Sequence, residues 1–317
     1  MYLVGIDGGG TKTKCLISDT KGNVLGAGRG GPGNYLKEGL MVVRLSLQEA
    51  ISEAIANAGL KNPEVRVLCA GLAGMDRNED KRVILRVLQE IAPSKTYRLE
   101  NDAYIALKGA TNGKPGVILI SGTGSICLGE NAAGGKARAG GWGHILGDEG
   151  SGYDIARRGL AAALKAFDGR GLKTLIEQKL KGQLYVRKTD DIVSNLYREG
   201  LTSSKIAGFY PIVQEAAQEG DNVALQIFEY AANELSQNIR AVVNRLKLAG
   251  EEFPISLVGG VLQGNRTLKE MLCQRIHQIA PRARITDPLH PPEVGALLLA
   301  RETYGISNDE RRMSNDG

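Results

Sequence analysis

Short apolar runs alternate with amphipathic stretches in the first third of the chain. The apolar runs predict five strands, at 2–6, 14–18, 24–28, 65–70 and 96–99. Apolar positions at helical spacing predict three helices, at 41–58, 79–91 and 103–110. The first helix is expected to bury a stripe made of Val42, Leu45, Ala50, Ile51, Ala54 and Ile55. Asp76 and Asn78 are candidate N-caps of the second helix. The order β-β-β-α-β-α-β-α indicates an α/β domain.

The second half of the chain opens with the same pattern. An apolar strand at 117–120 leads into the small-residue turn 121–125, and a second apolar strand follows at 126–129. Further helices are predicted at 152–168, 172–180, 189–197, 205–219, 222–248, 268–279 and 293–304, with strands at 254–258 and 284–285. The polar segment 307–317 is expected to be disordered.

A short internal repeat links the two halves. Segments 10–16 and 122–128 both read Gly-Thr-x-(Thr/Ser)-x-Cys-Leu, and each follows an apolar strand. The shared context indicates duplication of a strand–turn–strand unit. In neither copy does the glycine turn open a helix, and the chain has no GxxxxGK[ST] motif, which argues against Rossmann and Walker-type sites.

The two turns have the chemistry of a phosphate site. Glycine-rich turns let several backbone N–H groups converge on one phosphate, and threonine or serine hydroxyls add donors. One such turn alone would be an ordinary hairpin turn, but two copies with the same hydroxyls favour a nucleotide held from both sides. The candidate residues are Gly8, Gly9, Gly10, Thr11, Lys12, Thr13, Gly122, Thr123, Gly124 and Ser125. Asp7, at the tip of the first strand, is a candidate for holding Mg²⁺ through water.

Other polar positions admit more than one interpretation. Asp102 ends a strand and starts a helix, so it is either an N-cap or a general base for a substrate hydroxyl. Trp142 lies between glycines and is either a core residue or a surface that packs on a sugar ring. Asp148 fits a solvated turn or an N-cap, and Asn34 is by default a turn residue.

Composition narrows the function classes. The net charge of +5 is spread along the chain and aromatic residues make up only 5%, which argues against a nucleic-acid partner. The four cysteines have no CxxC spacing, so a metal or redox motif is not indicated. The sequence has no signal-peptide pattern and no apolar run of bilayer length. A cytoplasmic protein without a membrane partner is therefore expected.

Three motifs together resemble the phosphate-1, phosphate-2 and adenosine motifs of the actin/hexokinase/Hsp70 ATPase superfamily. They are Asp7-Gly8-Gly9-Gly10-Thr11, Ser121-Gly122-Thr123-Gly124-Ser125 and Gly259-Gly260-Val261. More narrowly, LISGTGS and GGWGHILGDEGSGY, with ENDA ahead of them, resemble the N-acetylglucosamine kinase and BadF/BadG-type ATPase family. The resemblance implies an α/β fold of two duplicated ribonuclease-H-like (actin-like ATPase) domains with a cleft between them. The expected bounds are 1–116 for the first domain, 117–290 for the second with a helical insertion, and 291–306 for a helix that crosses back.

The resemblance also implies roles for single residues. Asp102 would be the base that deprotonates the 6-hydroxyl of N-acetylglucosamine, with ATP and Mg²⁺ as cofactors. The sugar-binding positions would be Asn34, Asn101, Asp102, Gly141, Trp142, Gly143 and Asp148. The nucleotide would also contact Gly259, Gly260 and Asn265. A homodimer is expected from the family.

Two alternatives stay open within the kinase class and two outside it. Glucosamine or N-acetylmuramic acid could be the substrate instead of N-acetylglucosamine. An ATPase activator of a partner redox enzyme would hold an iron–sulfur cluster between subunits through cysteines, for which the scattered cysteines are poorly suited. A non-catalytic nucleotide or sugar sensor would not need both Asp7 and Asp102.

Overall fold

A computed structural model of the chain describes residues 1–198 and 200–315, with side chains described up to residue 305 apart from position 199. The chain divides into two compact units. The first unit comprises Met1–Lys114 and the C-terminal segment from Pro288, and the second comprises Pro115–Asp287. The domain bounds expected from the resemblance, 1–116, 117–290 and 291–306, stay predictions. Within the described part, no helix has the length and apolar character of a membrane span.

The elements follow the predicted order, except that a strand at 136–140 and short helices at 35–38 and 260–264 were not predicted. Residues 1–114 form β1 (Tyr2–Gly8), β2 (Thr13–Asp19), β3 (Val24–Gly30), α1 (Tyr35–Glu38), α2 (Leu40–Asn57), β4 (Val65–Leu72), α3 (Asn78–Ile91), β5 (Ser94–Asn101) and α4 (Asp102–Ala110). Residues 115–287 form β6 (Gly116–Ser121), β7 (Ser125–Glu130), β8 (Lys136–Gly140), α5 (Gly152–Phe167), α6 (Leu175–Leu184), α7 (Asp190–Arg198), α8 (Ser203–Ala207), α9 (Tyr210–Gln218), α10 (Asn222–Leu246), β9 (Pro254–Val258), α11 (Gly260–Gly264), α12 (Arg266–Ile279) and β10 (Arg284–Thr286). The chain then continues in α13 (Pro292–Asn315).

The end of the chain was expected to be disordered over 307–317. Helix α13 includes residues up to Asn315, and residues 316–317 lie outside the described part. Because the side chains beyond residue 305 also lie outside the description, the expected disorder of this tail stays a prediction.

The two units contain sheets of identical topology, which confirms the predicted duplication. The strand orders are β3-β2-β1-β4-β5 and β8-β7-β6-β9-β10. In each sheet the first three strands in sequence form an antiparallel meander, and the last two add in parallel. The repeat residues Thr13 and Ser125 are the first residues of β2 and β7. Cys15 and Cys127 then occupy equivalent buried positions in those strands.

The predicted apolar stripe of α2 is partly wrong. Val42 is 42% and Leu45 is 59% exposed, whereas Ser46 is buried together with Ala50 and Ala54. The reason lies in β3, whose inward face consists of glycines at alternate positions. A Cβ atom at Gly30 would lie only 2.0 Å from the Ser46 carbonyl oxygen, so the helix contacts the strand backbone to backbone. The contact requires small residues on the face of α2 that meets β3. Val43, Leu47 and Ile51 are also buried, whereas Val42 and Leu45 face outward.

Two further predictions need correction. The single helix expected at 205–219 is two helices, α8 and α9, because Pro211 begins the second one and cannot continue a preceding helix. Neither Asp76 nor Asn78 caps α3. Arg77 occupies the N-cap position, and its backbone N–H donates to the Asp80 carboxylate at 3.3 Å.

Helix α13 lies against β1 and α4 through glycines. A Cβ atom at Gly295 would lie 1.9 Å from the Ile105 carbonyl oxygen, and one at Gly5 would lie 2.6 Å from the Leu297 nitrogen. Such contacts fix the start of α13 against the middle and C-terminal part of α4 and against the middle of β1. The candidate active site of the first unit is built on these three chain segments.

We expect Gly295→Ala to lower the free energy of unfolding by about 3 kcal/mol, because the added methyl group overpacks a backbone contact that cannot yield. Urea unfolding followed by circular dichroism measures the change. Gly305→Ala, in the same helix with nothing near its Cβ position, is the matched control and should be neutral or slightly stabilising. Equal effects of the two substitutions would contradict the assigned packing.

Candidate active site

The first group of site residues lies at the end of β1. Here the turn after Gly8 closes with a hydrogen bond from the Gly9 N–H to the Lys12 carbonyl at 3.0 Å. The Gly33 N–H donates to the Gly9 carbonyl at 2.8 Å, so the loop that carries Asn34 lies beside this turn. The tip of the turn, residues 10–12, is exposed. Its backbone is therefore accessible to a ligand.

Asp7 is the electrostatic centre of this group. Burial, followed by the neighbouring carboxylates of Asp102 and Glu293, raises the pKa of Asp7 to about 7, while Lys14 and Lys12 oppose the rise. The first unit thus gathers three acids and two lysines around one strand end. Glu293 was not predicted as a site residue. The only sequence signal was an acidic residue at the start of a small-residue helix.

Unpartnered buried atoms occur at three residues of the first unit and at one residue of the second. Among the described residues, four buried side-chain atoms have no hydrogen-bond partner, namely Thr13 Oγ1, Asn34 Oδ1, Asn265 Nδ2 and Glu293 Oε2. Three of the four belong to residues that the sequence analysis assigned to the site. An unsatisfied buried polar group costs about 1–3 kcal/mol, so such groups are retained where a ligand or water completes them.

The start of α4 shows that Asp102 is not its N-cap. The N-cap is Asn101, whose Oδ1 accepts from the Ala103 N–H at 2.8 Å. The Asn101 amide also donates to Asp76 at 2.8 Å, so this side chain is engaged in the fold, and its predicted sugar contact stays a prediction. Asp102 is the first residue of the helix, where the positive end of the helix dipole stabilises a carboxylate.

The second group of site residues lies in the second unit, around the turn between β6 and β7. The Ser121 hydroxyl donates to the Gly150 carbonyl at 2.9 Å, and the Ser125 hydroxyl donates to the Glu149 carbonyl at 2.8 Å. Ser125 therefore holds the turn against the loop before α5, and its hydroxyl proton is used within the fold. The exposed hydroxyl of this turn is that of Thr123.

Asp148 joins this turn to the glycine–tryptophan loop. Its Oδ1 accepts from the Ser125 N–H at 3.2 Å. Burial raises the pKa of Asp148, while the backbone amides of Ser125 and Gly143 lower it. Asp148 has a left-handed backbone with φ of 61°, which is uncommon outside glycine. It does not cap α5, whose N-cap is Ser151, and it is not a solvated turn residue.

Trp142 is a surface residue, so its interpretation as a core residue is wrong. Its side chain is 68% exposed, and the Arg138 guanidinium lies 4.8 Å from its ring centroid. Arg138, in β8, also donates to the Gly141 carbonyl, which holds this loop to the strand. Ile145 and Leu146 follow with exposures of 82% and 79%. The loop thus presents apolar surface to a binding partner or ligand.

A groove of about 560 Å³ begins at this loop. Its lining residues are His144, Ile145, Leu146, Gly147, Glu149, Tyr153, Asp154, Arg157, Arg158 and Tyr230. The Asp154 carboxylate accepts from both Arg157 and Arg158, at 3.1 and 3.0 Å. In this wall of the groove, one carboxylate therefore accepts hydrogen bonds from two guanidinium groups.

The predicted adenosine motif follows β9. Gly259 has φ of 100°, and a Cβ atom there would lie 2.2 Å from the Ser121 carbonyl oxygen, so this motif contacts the end of β6. Asn265 is buried and caps α12, since its Oδ1 accepts from the Leu268 N–H at 2.9 Å. The structure thus brings Gly259 next to the candidate phosphate turn between β6 and β7. Asn265 has a structural role, because its side-chain oxygen caps α12.

The described residues do not form a complete metal site on their own. Among the described residues, no three His, Cys, Asp or Glu side chains converge to hold an ion. Mg²⁺ keeps several waters and commonly uses one or two carboxylates with substrate phosphates. The buried, acid-rich surroundings of Asp7 fit that mode of binding. Burial raises the pKa values of the Cys15, Cys69 and Cys127 thiols, so these residues are poorly suited to hold a cluster at a subunit surface.

Comparison with known proteins agrees with the predicted family. Residues 4–300 match the BadF/BadG/BcrA/BcrD ATPase family. The chain is 38% identical over 300 residues to an N-acetylmuramic acid/N-acetylglucosamine kinase from Clostridium acetobutylicum, covering 95% of this chain and 98% of that one. It is 37% identical over 309 residues to an N-acetyl-D-glucosamine kinase from Dictyostelium discoideum, covering 94% and 97%.

Solved structures support the fold. A candidate N-acetylglucosamine kinase from Chromobacterium violaceum aligns with a TM-score of 0.77 at 26% identity, covering 94% of this chain and 98% of that one. A ROK family glucokinase from Streptomyces griseus aligns with a TM-score of 0.56 at 16% identity, covering 95% and 98%, and shows the fold alone. The predicted fold class, two duplicated actin-like ATPase domains, is confirmed. The chain belongs to the BadF/BadG/BcrA/BcrD ATPase family.

Proposed function

We propose that the protein is an ATP-dependent amino-sugar kinase that transfers the γ-phosphate of ATP to the 6-hydroxyl of N-acetylglucosamine, with Asp102 as the general base. The observation that carries the proposal is the position of Asp102. Asp102 lies at the start of α4, close enough to Asp7 to raise the pKa of Asp7. The N-cap of this helix is Asn101, so Asp102 does not have that role. A base beside a carboxylate that can hold hydrated Mg²⁺ is the arrangement that phosphoryl transfer requires.

The named activities of the relatives support the substrate class. Proteins that share more than a third of their residues with this chain over nearly its whole length are kinases of N-acetylglucosamine and N-acetylmuramic acid. A glucosamine kinase from Vibrio cholerae is 30% identical over 254 residues. A homodimer and a cytoplasmic location stay predictions.

In the proposed reaction, the Asp102 carboxylate orients the 6-hydroxyl and accepts its proton as the oxygen attacks the γ-phosphorus. The bond from that phosphorus to the β,γ-bridging oxygen breaks, and ADP leaves. Amides of the two glycine turns, with Thr11, Lys12 and Thr123, would stabilise charge on the phosphoryl group. Mg²⁺, when bound through water near Asp7, would neutralise part of the phosphate charge.

Two side chains are suited to the sugar. The buried Oδ1 of Asn34 has no partner in the protein and can accept a hydrogen bond from a sugar hydroxyl. The exposed face of Trp142 can pack on the apolar face of the sugar ring. In these roles the sugar would give the Asn34 oxygen a hydrogen-bond donor and would cover the exposed ring of Trp142.

The proposal is tested by measuring ADP release with ATP, Mg²⁺ and a panel of N-acetylglucosamine, glucosamine, N-acetylmuramic acid, glucose and no sugar. We expect ADP release that depends on an amino sugar and is greatest with an N-acetylated one. Hydrolysis of equal rate without sugar, or a purified protein that is brown with iron, would favour the ATPase-activator class instead.

N-acetylmuramic acid is the second candidate substrate. It differs from N-acetylglucosamine by a lactyl ether, which carries a methyl group and a carboxylate. The groove beside the glycine–tryptophan loop offers Ile145 and Leu146 to a methyl group and Arg157 to a carboxylate. The half-exposed Arg157 guanidinium shares Asp154 with Arg158 and can turn toward a second acid.

If N-acetylmuramic acid occupies this groove, Arg157→Gln is expected to raise its KM about tenfold, because a charged hydrogen bond is worth about 1.5–3 kcal/mol. The KM for N-acetylglucosamine should not change. Arg170→Gln, which removes a surface guanidinium outside the groove, is the matched control. Equal changes in KM for both sugars would contradict the assignment of the groove to the lactyl group.

A further inference from the structure

Glu293 is a buried acid with one oxygen in use and one not. The residue is 8% exposed and is the second residue of α13. Its Oε1 accepts from the Lys14 ammonium at 2.7 Å. Its Oε2 is buried and has no hydrogen-bond partner among the described residues. The salt bridge to Lys14 therefore satisfies only one of the two oxygens of this carboxylate.

The fold directs Glu293 to the end of β1. Lys14 pairs with Asp7 across the antiparallel β1–β2 ladder, and side chains of directly paired residues lie on the same face of a sheet. Glu293 bonds to Lys14 and influences the ionisation of Asp7, so both acids lie near the same lysine. The close packing at Gly295 fixes the backbone that carries Glu293.

The electrostatic balance of this cluster favours a bound cation. Asp7, Asp102 and Glu293 provide three acids, against Lys12 and Lys14. The exposed turn residue Lys12 is part of the candidate phosphate turn, and Lys14 already bonds to Glu293. A buried carboxylate oxygen that has no hydrogen-bond donor costs free energy. This cost falls when a positively charged hydrogen-bond donor binds beside it.

We propose that Glu293 is a positioning residue for the hydrated divalent cation that accompanies ATP, with Oε2 accepting a hydrogen bond from a water in the cation's shell. Asp7 and Glu293 together would then orient this shell, with the Glu293 backbone fixed by the packing at Gly295 and Oε1 bonded to Lys14. The inference deepens the proposed function, since it assumes that the nucleotide binds with a metal, but it requires neither a sugar nor phosphoryl transfer.

The test measures Mn²⁺ binding by electron paramagnetic resonance in protein saturated with ADP and without sugar. Glu293→Gln keeps one side-chain oxygen to accept from Lys14 and removes the charge and the second acceptor. We expect the dissociation constant for Mn²⁺ to rise at least tenfold, the effect typical of losing an outer-shell partner. Glu302→Gln, on the same helix and paired with Arg98 at 2.8 Å, is the matched control and should bind Mn²⁺ as the wild type does.

Lys14→Met separates this role from a purely structural one. If Glu293 served only to hold Lys14, removing the lysine would weaken Mn²⁺ binding as much as Glu293→Gln does, and the proposal would be overturned. The proposal expects Lys14→Met to bind Mn²⁺ at least as tightly as the wild type, because a competing positive charge is gone. Wild-type affinity in Glu293→Gln would also overturn it. If circular dichroism shows that Glu293→Gln does not fold, two other variants decide the question. They are Lys14→Met, with the result given above, and Glu293→Asp, whose shorter acid is expected to weaken Mn²⁺ binding severalfold.

If the sugar-kinase function is wrong, the Mn²⁺ result still stands, because no sugar enters the measurement. If the Mn²⁺ result fails, the sugar panel remains a separate test of the kinase function.

Discussion

Asp102→Asn is expected to lower kcat for N-acetylglucosamine phosphorylation by about 10²–10⁴-fold, the usual contribution of a general base. An amide cannot accept the proton of the 6-hydroxyl. It has the same shape as the carboxylate and can retain the hydrogen bond that Oδ1 accepts from the Ala103 N–H at 2.9 Å, so the start of α4 should be preserved. Sugar affinity should therefore change only a few-fold.

Binding and rate can be separated in this variant because the chain has one tryptophan, Trp142, on the proposed sugar side. Quenching of its fluorescence gives the sugar dissociation constant, and single-turnover assays give the rate per bound complex. Asp168→Asn, on the surface and paired with Arg170, is the control for a lost carboxylate. Loss of sugar binding with an unchanged rate per bound complex would contradict the assignment of Asp102 as the base.

Asp7→Asn is expected to raise stability and lower activity. Folded Asp7 holds its proton up to about pH 7, whereas the unfolded residue releases it near 3.8, so folding takes up a proton between these values. The wild type should therefore lose free energy of unfolding as the pH rises through this window, and the variant should not. The acids that oppose ionisation of Asp7 are Asp102 and Glu293, and the cations that favour it are Lys14 and Lys12.

The stability gain of Asp7→Asn over the wild type should grow by about 2 kcal/mol between pH 5 and pH 8, as measured by urea unfolding in EDTA. At pH 8 the same variant should need at least tenfold more Mg²⁺ for half-maximal activity, because a carboxylate that orients the metal's waters has been lost. A stability difference that does not depend on pH would show that Asp7 is ionised without penalty in the folded protein.

The sequence predicts the architecture well because its signals are local. Apolar runs of strand length and the repeated Gly-Thr-x-(Thr/Ser) turn are contained within short segments, and the structure confirms both, down to the equivalent positions of Thr13 and Ser125. The stripe of α2 was predicted less well because it depends on the glycine face of β3, which helical periodicity does not register.

The details of the site were harder to predict because they depend on contacts between distant segments. Glu293 reaches the end of β1 only through the packing of α13, and nothing near it in sequence indicates a partner at Lys14. The roles of Asn101 as cap and of Asp148 as the link to Ser125 likewise depend on hydrogen bonds that residue type alone leaves open. The motifs included Asn101 and Asp148 but not Glu293, and the structure distinguishes which atoms of these side chains are already hydrogen-bonded within the fold.

The most direct test of the proposed function identifies the phosphorylated product. Purified protein is incubated with ATP, Mg²⁺ and N-acetylglucosamine, and the products are followed by phosphorus-31 and carbon-13 nuclear magnetic resonance. We predict one ADP for each sugar phosphate formed, with phosphorus coupling at C6 of the sugar. Inorganic phosphate as the main product, or a phosphate on another sugar carbon, would contradict the proposed reaction.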